Sequence, residues 1–324
     1  MATINLLNLE PHKVSKDLSG YITFIYGAPK TGKTTLATQM EKPLLLAFEP
    51  GYHALPGVIA QDITSWTDMR QVFRQLKQPE VQKTFKAVIV DTIDIAADMC
   101  KKYICNQNDI DDLGDMGYGK GWTKFKDEFN EVFRGLTQLG YSVFFIGHDK
   151  PEVVDNPDGT KTTKIHPALS NSTKTVIAGM ADIYGYAHQK AVGEMSVLTL
   201  RDSSGLIECG SRFSCMPNEI TMSYSNLVTA LNNAIDEEAV KTNNAFVTTE
   251  RIVSPQETVY DYDALMNEFQ DLVGKLMSTG TNNAPKITAI VEKYLGKGKK
   301  VADTNPNQAE FIFLIVSDIK NDLM

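Results

Sequence analysis

Short apolar runs, rich in β-branched and aromatic residues and bounded by chain-breaking residues, recur through the first two thirds of the chain. Such runs are typical of strands that are buried on both faces of a sheet. Stretches with apolar residues at helical spacing lie between them, most clearly where Phe125, Phe129 and Phe133 follow one face. The pattern predicts strands at residues 21–26, 43–48, 86–90, 141–147 and 182–188, and helices at residues 32–40, 66–76, 92–105 and 122–139.

Strands that alternate with helices predict a mainly parallel sheet covered by helices on both faces, an α/β fold. Two further strand-like segments, 195–201 and 206–209, flank the turn-forming residues 202–205, and this order predicts a hairpin on the sheet edge. A helix at residues 223–234 then closes the domain.

The pattern changes after residue 235. Residues 236–260 are polar and lack a sustained period, which indicates a linker. Beyond them, three groups of apolar residues recur at helical spacing and predict three amphipathic helices. We therefore divide the chain into an α/β domain (1–235), a linker (236–260) and a small helical domain (261–324).

Composition narrows the class of protein. The 324 residues are 42% hydrophobic and carry a formal net charge of −8, which disfavours indiscriminate binding to nucleic acid, so any such site must be a local basic patch. There is no run of about 18 apolar residues and no signal-peptide pattern, so we expect a soluble protein with no membrane partner. The spacing of the four cysteines, Cys100, Cys105, Cys209 and Cys215, matches neither a zinc site nor a redox motif.

A phosphate-binding motif gives the strongest functional signal. Residues 27–34 read GAPKTGKT, between a predicted strand and a predicted helix, where backbone N–H groups wrap the phosphates of a nucleotide and the lysine neutralises them. We expect ATP as the ligand and Mg²⁺ on the Thr34 hydroxyl. The predicted nucleotide-binding residues are Gly27, Ala28, Pro29, Lys30, Thr31, Gly32, Lys33, Thr34 and Thr35, and Lys33 is also a catalytic candidate.

Polar side chains at the ends of three other predicted strands complete the candidate site. Asp91 ends an apolar strand and is predicted to hold the magnesium together with Thr34. Thr92 follows it where many P-loop ATPases have a glutamate, so the base that activates water must lie elsewhere. Glu49, at the end of the second strand, is the preferred candidate, and Asp94 is its competitor. His148, after the fourth strand, is either a γ-phosphate sensor or a structural residue.

The order GAPKTGKT, AFEPGYHAL, AVIVDT and FFIGHDK resembles the RecA/RadA-type core, and most closely the RecA-like single-strand annealing ATPases of phages. The similarity spans about residues 22–234 and implies the strand order 5-1-4-3-2, with Glu49 as the catalytic base and His148 as the sensor. GYGKGW at residues 117–122 is also similar to that family. GSRF at residues 210–213 is similar to a RadA segment that has asparagine where Ser211 stands, and implies a catalytic role for Arg212.

The same resemblance implies single-stranded DNA as a partner, contacted by residues 106–121 and 150–170. The first segment is acidic, but Tyr118 and Trp122 are able to stack on bases. In the second, the stretch 159–181 has no acidic residue and carries three lysines, Lys161, Lys164 and Lys174, which we take as the DNA-binding candidates; a merely solvated turn is the alternative. Lysines at 293, 297, 299 and 300 form a second patch.

Three lysines supply a modest contact, so we expect a homo-oligomer, either a ring or a filament, that lines several subunits along one strand. We expect a phage recombination ATPase in the cytoplasm of a bacterial host cell, with a single-strand-binding protein among its candidate partners. Two alternatives share every nucleotide residue: a replication motor or loader related to helicases, and a nucleotide-gated scaffold with little hydrolysis. A small-molecule kinase is less favoured, since no Arg-rich lid segment is visible.

Overall fold

The computed structural model describes residue 7 and residues 9–155, 159–191, 193–243, 245–252, 260–279 and 283–323. The chain divides into two compact units, Met1–Gln256 and Glu257–Met324. Within the described residues, none of the helices combines the length and the apolar content that a membrane span requires.

A long mixed sheet forms the centre of the first unit. Its strands, and those of two small separate sheets, are β1 (Val14–Ser15), β2 (Thr23–Gly27), β3 (Pro43–Ala47), β4 (Ala60–Asp62), β5 (Ala87–Asp91), β6 (Ser142–Gly147), β7 (Asp149–Asp155), β8 (Lys161–Pro167), β9 (Ile183–His188), β10 (Val197–Thr199), β11 (Gly210–Ser211), β12 (Glu219–Thr221) and β13 (Val247–Thr248). Each of the five strands predicted from sequence is present, within two residues of its predicted bounds.

In the central sheet the strands lie in the order β12-β10-β9-β2-β6-β5-β3-β4, with β11 paired to β9. The segment from β9 to β4 is parallel throughout, and β10, β11 and β12 add antiparallel pairs at one side. The five predicted strands, numbered along the chain, therefore lie in the order fifth, first, fourth, third, second. The predicted α/β class is confirmed, and the carboxyl ends of these five strands meet at one edge.

The first unit has helices α1 (Lys33–Ala37), α2 (Trp66–Leu76), α3 (Pro79–Thr84), α4 (Ile93–Gln107), α5 (Lys120–Gln138), α6 (Asn171–Met180) and α7 (Tyr224–Ala239). Local sequence fixes several ends: Ser65 and Asp68 form a reciprocal capping box before α2. On α5, the residues at helical spacing, Phe125, Phe129 and Phe133, are fully buried against the sheet. A second apolar cluster, which includes α1 and α7, covers the other face.

The predicted edge hairpin of residues 195–201 and 206–209 is wrong. β10 pairs with β9 and β12 instead. The turn between the two segments does form, but the Asp202 carboxylate accepts the N–H groups of Ser204, Leu206 and Ile207 at 2.7–3.1 Å. A backbone whose donors are bound in this way cannot form a regular ladder with β10.

Two other segments are more regular than predicted. Residues 150–170, expected as a loop, contain the antiparallel hairpin β7–β8, in which Asp149 faces Pro167 and Asp155 faces Lys161; residues 156–158 of the predicted turn lie outside the described residues. The predicted linker begins inside α7, which continues to Ala239, and its Val247 pairs with Val14 of β1. Residues 253–259 of that linker also lie outside the described residues.

The second unit contains α8 (Tyr262–Thr279), α9 (Asn283–Leu295) and α10 (Ala309–Leu323). Their apolar faces form a separate core in which Leu265, Ile312, Ile315 and Ile319 are almost completely buried. The Tyr262 hydroxyl donates to the carbonyl of Thr304 at 2.8 Å and joins the start of α8 to the turn before α10. The three helices predicted from their apolar spacing are therefore present.

Candidate nucleotide-binding site

The phosphate-binding motif lies at the carboxyl edge of the sheet, between β2 and α1. Gly27 is the last residue of β2 and has φ 152°, and a Cβ there would lie 2.0 Å from the carbonyl oxygen of Ala187 on β9. Only glycine fits that approach. Gly32 precedes α1 with φ 95°, the left-handed region that glycine enters without strain. The two glycines therefore shape the loop from both ends.

Lys33 turns back into the loop that carries it. Its side-chain ammonium donates to the carbonyls of Gly27 and Ala28, at 2.7 Å each, and the residue is 7% exposed. Burial lowers the pKa of Lys33, and nearby carboxylates, first Asp91 and then Asp149, act in the opposite direction. A buried cation inside a loop of backbone amides is the arrangement that binds the β- and γ-phosphates of a nucleotide.

Thr34 and Asp91 are brought together as predicted for a magnesium site. The Thr34 hydroxyl donates to Asp91 Oδ2 at 2.7 Å, across from the end of β5. Burial raises the pKa of Asp91, while the Thr34 hydrogen bond lowers it. In the described residues no three His, Cys, Asp or Glu side chains form a dedicated metal cluster. Mg²⁺ does not require one, since it binds through one or two protein oxygens, phosphates and water. The hydroxyl and the carboxylate fit that ion.

His148 lies between two carboxylates at the same edge. Its Nδ1 is 2.8 Å from Asp94 Oδ2, and its backbone N–H donates to Asp94 Oδ1 at 3.2 Å. Its Nε2 is 3.8 Å from Glu49 Oε2. The hydrogen bond that Asp94 accepts raises the pKa of His148, and the nearby charge of Glu49 makes a smaller contribution in the same direction. Both oxygens of Asp94 are therefore engaged with one residue, whereas Glu49 keeps its carboxylate open to solvent.

The structure adds Asp149 to the site, a residue that the sequence motifs do not indicate. Asp149 follows His148 directly, begins β7, and lies near enough to Lys33 to oppose the fall in its pKa. Its carboxylate also accepts a hydrogen bond from Tyr186 of β9 at 3.4 Å. The available signal was its position, since Asp149 is the second polar residue after the carboxyl end of a buried strand.

Arg212 does not join this site in its own chain. It follows β11, in which Ser211 pairs with Ile183 at the start of β9. Gly27 of the phosphate loop pairs with Ala187, four residues further along the same strand. The Arg212 guanidinium lies 3.3 Å from Asp182 and donates to the carbonyl of Gly179 at 2.9 Å. Arg212 is therefore at the amino edge of the sheet, opposite Lys33, and any role in catalysis requires the site of another subunit.

A groove of about 630 Å³ opens beside the hairpin, and its lining begins at Lys150, two residues after His148 in the chain. We call it the hairpin groove; its polar lining includes Lys150, Glu152, Lys164, His166, Ser170, Asn171, Lys174 and Glu208. Some of its side chains already contact each other. Glu152 lies 3.0 Å from His166, and Lys174 lies 3.0 Å from Glu208.

Lys150 and Lys164 are exposed in the groove and form no ion pair within the described part of the chain. The third predicted DNA-binding residue, Lys161, is the first residue of β8 and lies 3.8 Å from Asp155. The structure therefore brings Lys164 and Lys174 to one groove and adds Lys150 to them. It leaves Lys161 at the far end of the hairpin.

A second exposed feature precedes α5. Tyr118 is fully exposed and has φ 48°, and it lies between Gly117 and Gly119, with φ 67° and 71°. Trp122, one turn into α5, is 36% exposed and packs edge-on against Phe125. A large aromatic ring with no packing of its own and a left-handed backbone is uncommon, which makes Tyr118 a candidate contact residue.

Two comparisons with known proteins agree with this geometry. The sequence profile of the AAA domain family matches residues 19–208, which contain the phosphate loop, Asp91, His148 and the hairpin. The chain is also 28% identical over 328 residues to the SPbeta prophage-derived uncharacterized protein YorG of Bacillus subtilis, with 98% of each chain covered. The profile match accounts for the nucleotide site, and the relative extends the similarity through the helical unit.

Proposed function

The chain belongs to the AAA domain family of P-loop ATPases, and from that premise we propose that it is a RecA-like phage recombination protein. It binds single-stranded DNA and uses ATP to promote annealing or strand pairing. One observation carries the proposal: His148 contacts the nucleotide-site carboxylates, and the lysine groove begins two residues later at Lys150. The similarity to a prophage-derived protein supports a phage origin.

Hydrolysis of ATP needs a base that is open to water. Glu49 meets that requirement, since its side chain is 33% exposed and its carboxylate lies 3.8 Å from His148. It accepts the proton of the water that attacks the γ-phosphate, while Lys33 neutralises the phosphate charge. Asp94 is less suited, because both its oxygens are engaged with His148. When bound by Thr34 and Asp91, Mg²⁺ supplies charge that favours attack at phosphorus.

His148 is the proposed γ-phosphate sensor. Asp94 fixes its Nδ1, so Nε2 faces Glu49 and the edge where the terminal phosphate of ATP lies. The terminal phosphate of ATP competes with Glu49 for the Nε2 of His148 and displaces the His148 side chain. Because β7 begins at the next residue, Asp149, this displacement moves the start of the hairpin. Such a link transmits the state of the nucleotide to the hairpin.

The hairpin groove is the proposed DNA contact. Lys150 and Lys164 are exposed and form no ion pair with a carboxylate of the described residues, so both are available to phosphate oxygens. Lys174 must give up its ion pair with Glu208 to bind phosphate, so its contact costs more free energy than those of Lys150 and Lys164. Lys161 adds a further phosphate contact at the turn end of the hairpin. Tyr118, fully exposed, is a platform on which a base stacks.

A few lysines per chain give weak binding, so the proposal includes a homo-oligomer that repeats the groove along one strand. The strand order of the central sheet supports a RecA-like core for such an assembly. An exposed Arg212 at the opposite edge is suited to reach the nucleotide site of a neighbouring subunit.

Phosphate release from ATP, measured with and without a homopolymeric single-stranded oligonucleotide, tests the proposal. We expect turnover that the oligonucleotide stimulates, together with faster annealing of complementary strands in the presence of ATP. Binding of ATP without turnover would instead support a nucleotide-gated scaffold. Turnover that single strands leave unchanged, with no annealing, would contradict the DNA role.

A replication motor or loader is the second candidate, because it would use the same nucleotide site, in which Lys33 lies inside the phosphate loop and Thr34 contacts Asp91. Directional unwinding of a forked duplex separates the two. A recombination protein of the proposed kind anneals strands but does not unwind a fork of sustained length.

A further inference from the structure

The turn that follows α9 is the most concentrated basic feature in the second unit. Residues 296–300 read Gly-Lys-Gly-Lys-Lys and are all exposed. Gly296 and Gly298 have φ 97° and 77°, and there is open space where a Cβ would stand at either position. The glycines are therefore required by the backbone of the turn and not by the packing around it.

Hydrogen bonds fix the shape of the turn from both sides. The N–H of Gly298 donates to the Glu292 carboxylate at 2.8 Å, and the N–H of Gly296 donates to the Glu292 carbonyl at 3.0 Å. On the far side, the N–H of Lys300 donates to Asp303 at 3.0 Å. The nearest carboxylates in sequence thus bind the backbone of the turn, and its conformation is set before any partner arrives.

The lysine side chains of the turn differ from the lysine just before it. Lys293 lies 2.8 Å from Asp318, and this partner raises its pKa. By contrast, Lys297, Lys299 and Lys300 form no ion pair within the residues that the structure describes. Three unpaired ammonium groups within four residues make a local positive charge on a chain whose net charge is −8.

We propose that this turn is a binding site for the phosphate backbone of a single-stranded nucleic acid, and that it acts independently of ATP. The site lies outside the residues matched by the AAA domain profile. It goes beyond the proposed function, because it requires neither the hairpin groove nor the nucleotide site.

The chemistry of the turn favours phosphate over an acidic protein. A single glycine separates Lys297 from Lys299 and Lys300, and the flanking Val301 is buried in the core of the unit, at 4% exposure. A protein partner gains most of its affinity from buried apolar and aromatic anchors, and the turn offers none. A phosphate backbone needs only positive charge, since release of its counterions supplies the free energy.

Two binding sites on one chain raise the overall affinity for a strand long enough to reach both, without any new contact at either site. The turn thereby gives the second unit a role that the AAA domain profile does not assign. It retains the strand while the nucleotide site passes through its cycle.

The test is the salt dependence of binding of a labelled oligothymidylate by the full chain without nucleotide. The variant Lys297→Gln/Lys299→Gln is compared with Lys275→Gln/Lys286→Gln, which removes the same charge from exposed positions on α8 and α9. Loss of two contacts should flatten the log–log salt slope by about 1.4 and weaken binding about tenfold at about 0.2 M salt. The control variant should bind like the wild type.

Equal loss in the two variants would overturn the proposal, because net charge alone would then explain binding. Equally strong binding of poly-glutamate, lost in the same variant, would replace nucleic acid with an acidic protein as the partner. The same substitutions in a Lys33→Ala chain separate this site from the proposed function. If they still reduce oligothymidylate binding there, the turn acts without ATP even should the ATPase role fail.

Discussion

The nucleotide site and the hairpin groove use the same chemical group in opposite ways. Lys33 is 7% exposed, bound to two carbonyls and surrounded by carboxylates. Lys164 is exposed on a hairpin and has no ion-pair partner in the described chain. Lys33 is buried and held in one position by its two carbonyl contacts, and the nearby carboxylates offset the free-energy cost of burying its charge. We therefore expect that no other side chain can replace it. Lys164 is exposed, so we expect its contribution to DNA binding to add to those of the other lysines of the hairpin groove.

The largest expected effect is at the buried lysine. Lys33→Ala removes the cation of the phosphate loop and leaves the nucleotide charges uncompensated, so we expect loss of tight ATP binding or of turnover. Isothermal titration with ATP and a phosphate-release assay measure the two. The thermal unfolding transition should remain cooperative. Turnover at the wild-type rate would show that the loop does not hold the phosphates.

The next prediction divides the carboxylates around His148. Glu49→Gln should retain ATP and slow hydrolysis by about 100-fold or more, as expected for loss of a general base. Asp94→Asn should have a much smaller effect, because Asp94 acts on His148 rather than on water. Single-turnover rates at saturating ATP measure both. The opposite ranking would assign the base to Asp94.

The exposed groove should respond to charge in a graded manner. Lys150→Gln/Lys164→Gln removes two unpaired charges and should flatten the salt slope of single-strand binding by about 1.4, with ATP binding intact. Lys161→Gln/Lys174→Gln is the matched control, since these lysines already have partners in Asp155 and Glu208. Its effect should be smaller. Equal effects of the two variants would mean that the ion pairs with Asp155 and Glu208 do not reduce the contribution of Lys161 and Lys174 to DNA binding.

The smallest effect concerns the titration of His148. Asp94→Asn removes the main cause of its raised pKa, which should fall toward the ordinary value of about 6.5. Because the folded-state pKa lies above the unfolded value, protonated His148 stabilises the fold below that unfolded value, and this contribution is lost as the pH rises through the folded pKa. Proton NMR titration of the imidazole measures the shift. An unchanged pKa in the variant would contradict the assigned contact.

The features that can be predicted from the sequence are those whose signal is local. GAPKTGKT carries its own geometry, because the glycines and the lysine act within eight residues. The apolar strands and the phenylalanine stripe of α5 likewise read directly as a buried sheet and its cover. Glu49, Asp91 and His148 were selected because parallel strands place their carboxyl ends at one edge.

The long-range contacts of those residues, by contrast, are visible only in the folded chain. Asp94 is bound to His148 across 54 positions, and Arg212 lies at the opposite edge of the sheet from Lys33. The predicted edge hairpin failed for a similar reason: the pairing of β10 depends on β9 and β12, which no local turn specifies. Packing between segments that are far apart in the sequence determines which strands pair and which charges meet. A local residue pattern does not show which distant segments come close in space.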